Sequence, residues 1–139
     1  MMPSLKKSRW SWPKRDAAAP DRQQLGAHSE SLARRFLVLH GYTIEATNVR
    51  FPVGELDIVA RDGQVLCFIE VRAASSLEWG GALESITGRK RQRVIRAARW
   101  YLKRFTTLPE EIRFDVVALD WSGPDAPRLE LIRAAFEVS

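Results

Sequence analysis

One cysteine, Cys67, occurs in 139 residues. A lone thiol excludes an internal disulfide framework and a cysteine-based zinc site, and a reducing cytoplasm is the expected compartment. Long apolar runs are also missing, and no stretch reaches the length that spans a bilayer. The segment from Pro3 to Pro20 is basic and lacks an apolar block, which argues against a secretory signal. Histidine is scarce, and the isolated His28 and His40 read as helix-end residues rather than metal ligands. Acid is absent where it would be most expected. The stretch Arg89–Arg104 carries Arg89, Lys90, Arg91, Arg93, Arg96, Arg99, Lys103 and Arg104 with no Asp or Glu. Ordinary solvated helices mix signs, whereas a one-sign face repels itself and suits a polyanion.

What is present fits one folded domain. The chain is 45% hydrophobic and 28% charged, with a net charge of +5, enough for a real core and a lean toward a polyanionic partner. Residues 1–22 read as a disordered basic tail: Lys6, Lys7, Arg9, Lys14, Arg15 and Arg22 against Asp16 and Asp21, with Pro3, Pro13 and Pro20 and no apolar period. The tail offers phosphates a non-specific contact, although a solvated extension is the plainer reading. Residues 23–139 form the domain.

Apolar periodicity predicts a helix over Leu25–His40, ended by Gly41, and a short strand over Tyr42–Asn48. Val53–Ala60 and Gln64–Val71 are strong strands joined by the Asp62-Gly63 turn signal. Ala73–Gly88 reads as a loop, Arg89–Phe105 as a helix broken before Pro109, and Ile112–Trp121 and Arg128–Val138 as strands. The order α-β-β-β-α-β-β, with a hairpin followed by a crossover helix, predicts a mixed five-stranded sheet flanked by helices.

The hairpin gathers acid. With Asp62-Gly63 as its loop, Asp57 faces Phe68 and Glu55 faces Glu70, and period-two alternation puts Glu55, Asp57, Glu70 and Arg72 on one face. Leu56, Ile58, Ala60, Cys67, Ile69 and Val71 take the other. A loop of four residues keeps this parity, and one of three breaks it. Val53, Val59, Leu66 and Phe68 lie among the acids, so that face is also covered. Carboxylates crowded on a covered face are costly unless something neutralises them. Arg72 can serve one. A hard divalent cation such as Mg²⁺ or Mn²⁺ can serve Asp57, Glu70 and Glu55, which is the chemistry of phosphodiester cleavage. Glu30, one turn before Ala33, can reach over the sheet toward Asp57 or be a solvated first-turn acid favoured by the helix dipole.

Asp57, a gap of twelve residues, then Glu70-Val71-Arg72 resembles the PD-(D/E)xK nuclease signature. The wider pattern resembles the YraN family, related to Holliday-junction resolvases. It includes Gly26, Glu30, Gly41-Tyr42, Asn48-Val49-Arg50, Gly54-Glu55-Leu56-Asp57, Lys90, Arg113-Phe114-Asp115-Val116-Val117 and Ala135-Phe136. The resemblance implies a restriction-endonuclease-like α/β fold, with Glu30, Asp57 and Glu70 as acidic site residues. The signature ends in lysine where this chain has Arg72. Arginine keeps its proton and cannot act as a base, although it can hold phosphate charge. Lys90, one turn before Val94, can take the lysine's place or be a snorkelling helix-end lysine.

The expected function is therefore Mg²⁺- or Mn²⁺-dependent cleavage of DNA, branched or single-stranded. Glu30, Asp57, Glu70, Arg72 and Lys90 are its catalytic group, and Arg50, Arg89, Arg91, Arg93, Arg96 and Arg99 its nucleic-acid contacts. A homodimer is compatible with it, and a membrane is not implied. The alternatives are a non-catalytic DNA-binding module on the same fold, or a scaffold whose basic helix meets an acidic protein.

Overall fold

Ile58 and Val59 are neighbours in sequence, and both are fully buried. A strand can bury consecutive side chains only if both faces of its sheet are covered. The computed structural model describes residues 22–74 and 86–138, with side chains from Gly26 onward. Its elements are α1 (Arg22–Leu39), β1 (Thr43–Phe51), β2 (Gly54–Asp62), β3 (Val65–Ala74), α2 (Gly88–Leu102), β4 (Glu111–Asp120) and β5 (Arg128–Phe136). The strands form one sheet in the order β1-β2-β3-β4-β5. β3 and β4 are parallel, as a crossover through α2 requires, and the other pairs are antiparallel. The predicted element order and mixed five-stranded sheet are what the structure has.

The helices lie on opposite faces. Ala33, Phe36 and Leu37 of α1 cover Ile58, Ala60, Cys67, Ile69, Val117 and Leu119. Val94, Ile95, Ala98 and Tyr101 of α2 cover Val59, Leu66, Phe68, Phe114 and Val116. Phe114 stacks on Phe68 at 5.6 Å and on Phe136 at 5.0 Å, and Tyr101 meets Phe68 edge-on at 5.9 Å. Among the described residues no helix is long and apolar enough to cross a membrane. The tail predicted over 1–22 lies outside the described residues, apart from Arg22, and so does the 75–85 part of the predicted loop. Ala73 and Ala74, assigned to that loop from sequence, continue β3 instead.

The hairpin register corrects the sequence reading. Asp62 pairs with Val65, so the loop is Gly63-Gln64, with Gly63 in the left-handed conformation at φ 64°. Asp62 stays in β2 because Arg113 donates to its Oδ2 at 2.8 Å and Arg133 sits 3.5 Å away. The shift is two residues, so the faces survive but the partners change: Val59 faces Phe68, and the ladder ends at Ile58↔Ile69, one residue short of Asp57 and Glu70. Leu56 is the exception to alternation. It packs in the cluster under α2, not with Ile58. Asn48, which lies between the Thr47↔Ile58 and Val49↔Leu56 pairs, has φ 52°. The β1–β2 ribbon turns there and carries Leu56 to the other side.

The far end of the sheet holds a buried ionic node. Asp115 is fully buried. It accepts from Tyr42 OH at 2.9 Å, from Arg113 at 2.8 and 2.9 Å and from the Ala134 N–H at 2.9 Å. Burial and the facing Asp115 push the Tyr42 phenol pKa well up, and hydrogen bonds to Asp115 hold the Arg113 charge firmly. Burial likewise pushes the Cys67 thiol up to about 12, which makes it an inert core residue.

One glycine sets how near α2 comes to the sheet. A Cβ on Gly54 would lie 2.8 Å from the Arg93 backbone carbonyl oxygen, so only glycine lets the β1–β2 turn touch α2. Gly54→Ala is expected to lose about 1–3 kcal/mol in urea denaturation. Gly63→Asn, in open space and in a conformation asparagine tolerates, is expected to stay within about 0.5 kcal/mol of wild type.

Candidate functional site

Beyond the Ile58↔Ile69 pair the ladder between β2 and β3 gives way. The Val71 N–H turns to a side chain, donating to Asp57 Oδ2 at 2.9 Å. That bond fixes the Asp57 carboxylate between the strands. Glu70 is 4% exposed, and its Oε2 lies 2.9 Å from Lys90 Nζ. Lys90 reaches it because Thr87 caps α2, its Oγ1 accepting from the Lys90 N–H at 3.2 Å, and so places Lys90 in the first turn above the sheet.

The two acids therefore interact, and Lys90 is paired with Glu70. Burial, and secondarily the Glu70 charge, push the Asp57 pKa up to about 7, with Glu30 adding to the rise and the Val71 N–H and Lys90 opposing it. Glu30 is held on the α1 side by Asn48, whose Nδ2 donates to Oε1 at 2.6 Å, and by Arg34 at 3.7 Å. It is thus a positioned acid beside Asp57, and not the solvated first-turn residue that the sequence slightly favoured. Nothing in the strand pattern marks Asn48 as its holder. The left-handed backbone that presents the amide shows only in the structure.

Asp57, Glu70 and Lys90 line an open cleft of about 400 Å³, whose walls are the β1–β2 turn with Arg50, Phe51 and Gly54 and the first turns of α2 with Arg93 and Val94. Glu55 also lines it but is turned to Arg50, which donates to its Oε2 at 3.0 Å. Among the described residues no three His, Cys, Asp or Glu side chains gather closely enough to hold a metal ion by themselves. The acids assemble as a pair, with Glu55 and Glu30 to either side. Among the described residues that line the cleft, Lys90 is present and Arg72 is not. Arg72 is half-buried on β3 in register with Ala118.

The predicted phosphate contacts divide. Arg50, Arg89, Arg93, Arg96 and Arg99 are exposed, and Arg50 and Arg93 stand at the cleft itself. Arg91 leaves the group. Its guanidinium lies over the Phe136 ring at 5.8 Å and its Nε is buried, because its place on the helix turns it toward the end of the sheet and away from the basic stripe. His40 is occupied locally, Nδ1 lying 2.8 Å from the Phe36 carbonyl oxygen.

The raised Asp57 pKa is a stability statement. Between the ordinary carboxylate range and about pH 7 the folded protein binds a proton that the unfolded chain has lost, so stability falls as pH rises through that window. Asp57→Asn keeps an acceptor for Val71 and removes the charge. It is expected to stabilise the protein at pH 8 by on the order of 2 kcal/mol, with the gain vanishing near pH 4. Denaturant melts at the two pH values check this, and a gain independent of pH would show that Asp57 ionises at no cost.

Comparison with known proteins follows the same residues. Residues 29–119 match the Uncharacterised protein family UPF0102. A UPF0102 protein of Desulfosudis oleivorans is 45% identical over 118 residues, covering 85% of this chain and 94% of the relative. One of Pseudomonas fluorescens is 44% identical over 118 residues, 83% of this chain and 94% of the relative. One of Dehalococcoides mccartyi is 42% identical over 117 residues, 84% and 96%. The match takes in Glu30, Asp57, Glu70 and Lys90 together with most of the sheet, and the chain belongs to the UPF0102 family.

Proposed function

We propose that this protein is a divalent-metal-dependent nuclease of restriction-endonuclease-like architecture that hydrolyses phosphodiester bonds in DNA. The observation that carries the reading is the Asp57–Glu70 pair: hard oxygen donors, Glu70 buried and Asp57 half-buried with its pKa pushed up, at a cleft walled by arginine. A carboxylate whose pKa is raised by burial and a neighbouring charge, sitting in a cleft, is a functional-site candidate. The order of elements and the Asp57…Glu70-Val71-Arg72 signature support the same reading.

The donor set fits Mg²⁺ or Mn²⁺, which take a few carboxylates and complete their shell with water and phosphate oxygens. Asp57 and Glu70 would hold the ion, with Glu55 and Glu30 near, and it would supply an activated water and charge stabilisation at the phosphate. The chain's own residues do the rest. The Val71 N–H orients Asp57. Lys90, once it leaves Glu70, holds a non-bridging phosphate oxygen, and Arg50 and Arg93 draw the backbone into the cleft. In this scheme Lys90 does the work of the signature lysine, and Arg72 acts as a fixed charge behind the site. Junction cleavage would need two such sites, which a homodimer would provide.

A second reading, a DNA-binding module without catalysis, is favoured by one feature: Arg72 stands where a base-capable lysine belongs. A panel of junction, flap, single-stranded and duplex DNA with Mn²⁺ separates the two. The nuclease reading expects cleavage of at least one substrate, lost in the Asp57→Ala, Glu70→Ala double variant. It also expects Lys90→Gln to lower the rate at least tenfold with DNA affinity little changed, about the size of effect that one charge-stabilising group carries. Calorimetric Mn²⁺ binding should be present in wild type and absent in the double variant. DNA retardation without cutting on every substrate, together with equal Mn²⁺ binding by both proteins, would establish the module instead.

A further inference from the structure

Trp100 is a large aromatic on the solvent side of α2, 40% exposed. Arg89, Arg93, Arg96, Trp100 and Lys103 follow one another at spacings of four and three, so they share one side of the helix. The indole is not stranded at random. It lies 5.8 Å from the Phe51 ring at 42°, and the Lys103 ammonium sits 4.5 Å from its centroid. Phe51 and Arg93 are also walls of the cleft that holds Asp57 and Glu70. Arg93 and Trp100 are seven residues apart, about 10 Å along the helix axis. A paired aromatic surface thus continues the cleft outward along the basic stripe.

We propose that Trp100 and Phe51 form a stacking platform for an unpaired base of a DNA strand whose phosphates run along Arg93, Arg96 and Lys103 toward the cleft. In a duplex the base faces are already stacked on one another, and only an unpaired base can offer its face to an exposed indole. The cation over Trp100 is the counterpart. It occupies the ring while the site is empty, through a contact worth little at an exposed position, and it moves to the incoming phosphate as the base takes its place. Alternating cations and aromatics in this order suit a single strand rather than an acidic protein surface, whose carboxylates have no use for the rings. The inference builds on the nucleic-acid reading of the cleft and narrows its substrate to DNA with a single-stranded portion.

The test is anisotropy binding in EDTA at one fixed salt concentration, with no cleavage involved, so a protein that never cuts DNA still passes or fails it. The probes are oligothymidylate, the same strand with abasic positions, and a hairpin duplex of equal length. Wild type is expected to bind the intact strand about tenfold more tightly than the abasic strand, a comparison that needs no variant. Trp100→Ala is expected to weaken the intact strand by about the same factor and the duplex less than twofold. Trp100→Phe, which keeps a ring on Phe51, is expected to restore most of the loss. Equal affinity for intact and abasic strands, or equal weakening of strand and duplex by Trp100→Ala, would overturn the proposal.

Discussion

The interaction on which the arrangement depends is the opposition of Asp57 and Glu70 across the splayed end of the β2–β3 hairpin. Like charges close together on a sheet repel, and Glu70 is buried while Asp57 is half-buried. The fold answers with the Lys90 ammonium on Glu70 and the Val71 N–H on Asp57. Much of the neighbouring architecture can be read as the means of delivering those two groups. The ladder stops at Ile58↔Ile69, which frees the Val71 N–H. Thr87 starts α2 where Lys90 can lean over the sheet. The turn of the ribbon at Asn48 brings Glu30 close as a third charge that aggravates the strain instead of relieving it.

A second buried carboxylate, Asp115, shows a different arrangement. Asp115 receives a bidentate arginine, a phenol and a backbone N–H, which satisfies most of its lone pairs. Arg113 is tied in turn to Asp62, and the hairpin loop is fixed as a result. This node leaves no capacity for an outside ligand. The Asp57–Glu70 end is built from the same residue types in the same sheet, and there burial and the Glu70 charge raise the Asp57 pKa. Composition therefore does not distinguish the two acid sites. The number of donors the chain supplies to each does.

Much of this could be read from residues alone. Alternation in two apolar strands and helical spacing in Val94, Ala98 and Tyr101 carried the element order, and turn chemistry at Asp62-Gly63 announced the hairpin. Face membership of Asp57 and Glu70 followed because any even shift preserves parity. What escaped was long-range. The two-residue register shift depends on Arg113 and Arg133, more than fifty residues downstream of Asp62. The placement of Leu56 depends on a positive φ in another strand. Arg91 counted as one more cation in a basic run until Phe136, near the end of β5, claimed it. That Lys90 lines the cleft and Arg72 does not shows only in the structure.

The contact of Gly54 with the Arg93 carbonyl also has a mechanical meaning. Hard-sphere repulsion is one-sided: it forbids approach and permits retreat. The β1–β2 turn and α2 meet there as a stop meets a hinge, so thermal motion can widen the slot between them but cannot collapse it. The carboxylates at its floor are thereby denied the easiest escape from their mutual repulsion, which would be to let the walls fold in and bury them as neutral acids. The contact is the closest approach that a glycine permits, and it sets the width of the slot over the acidic floor.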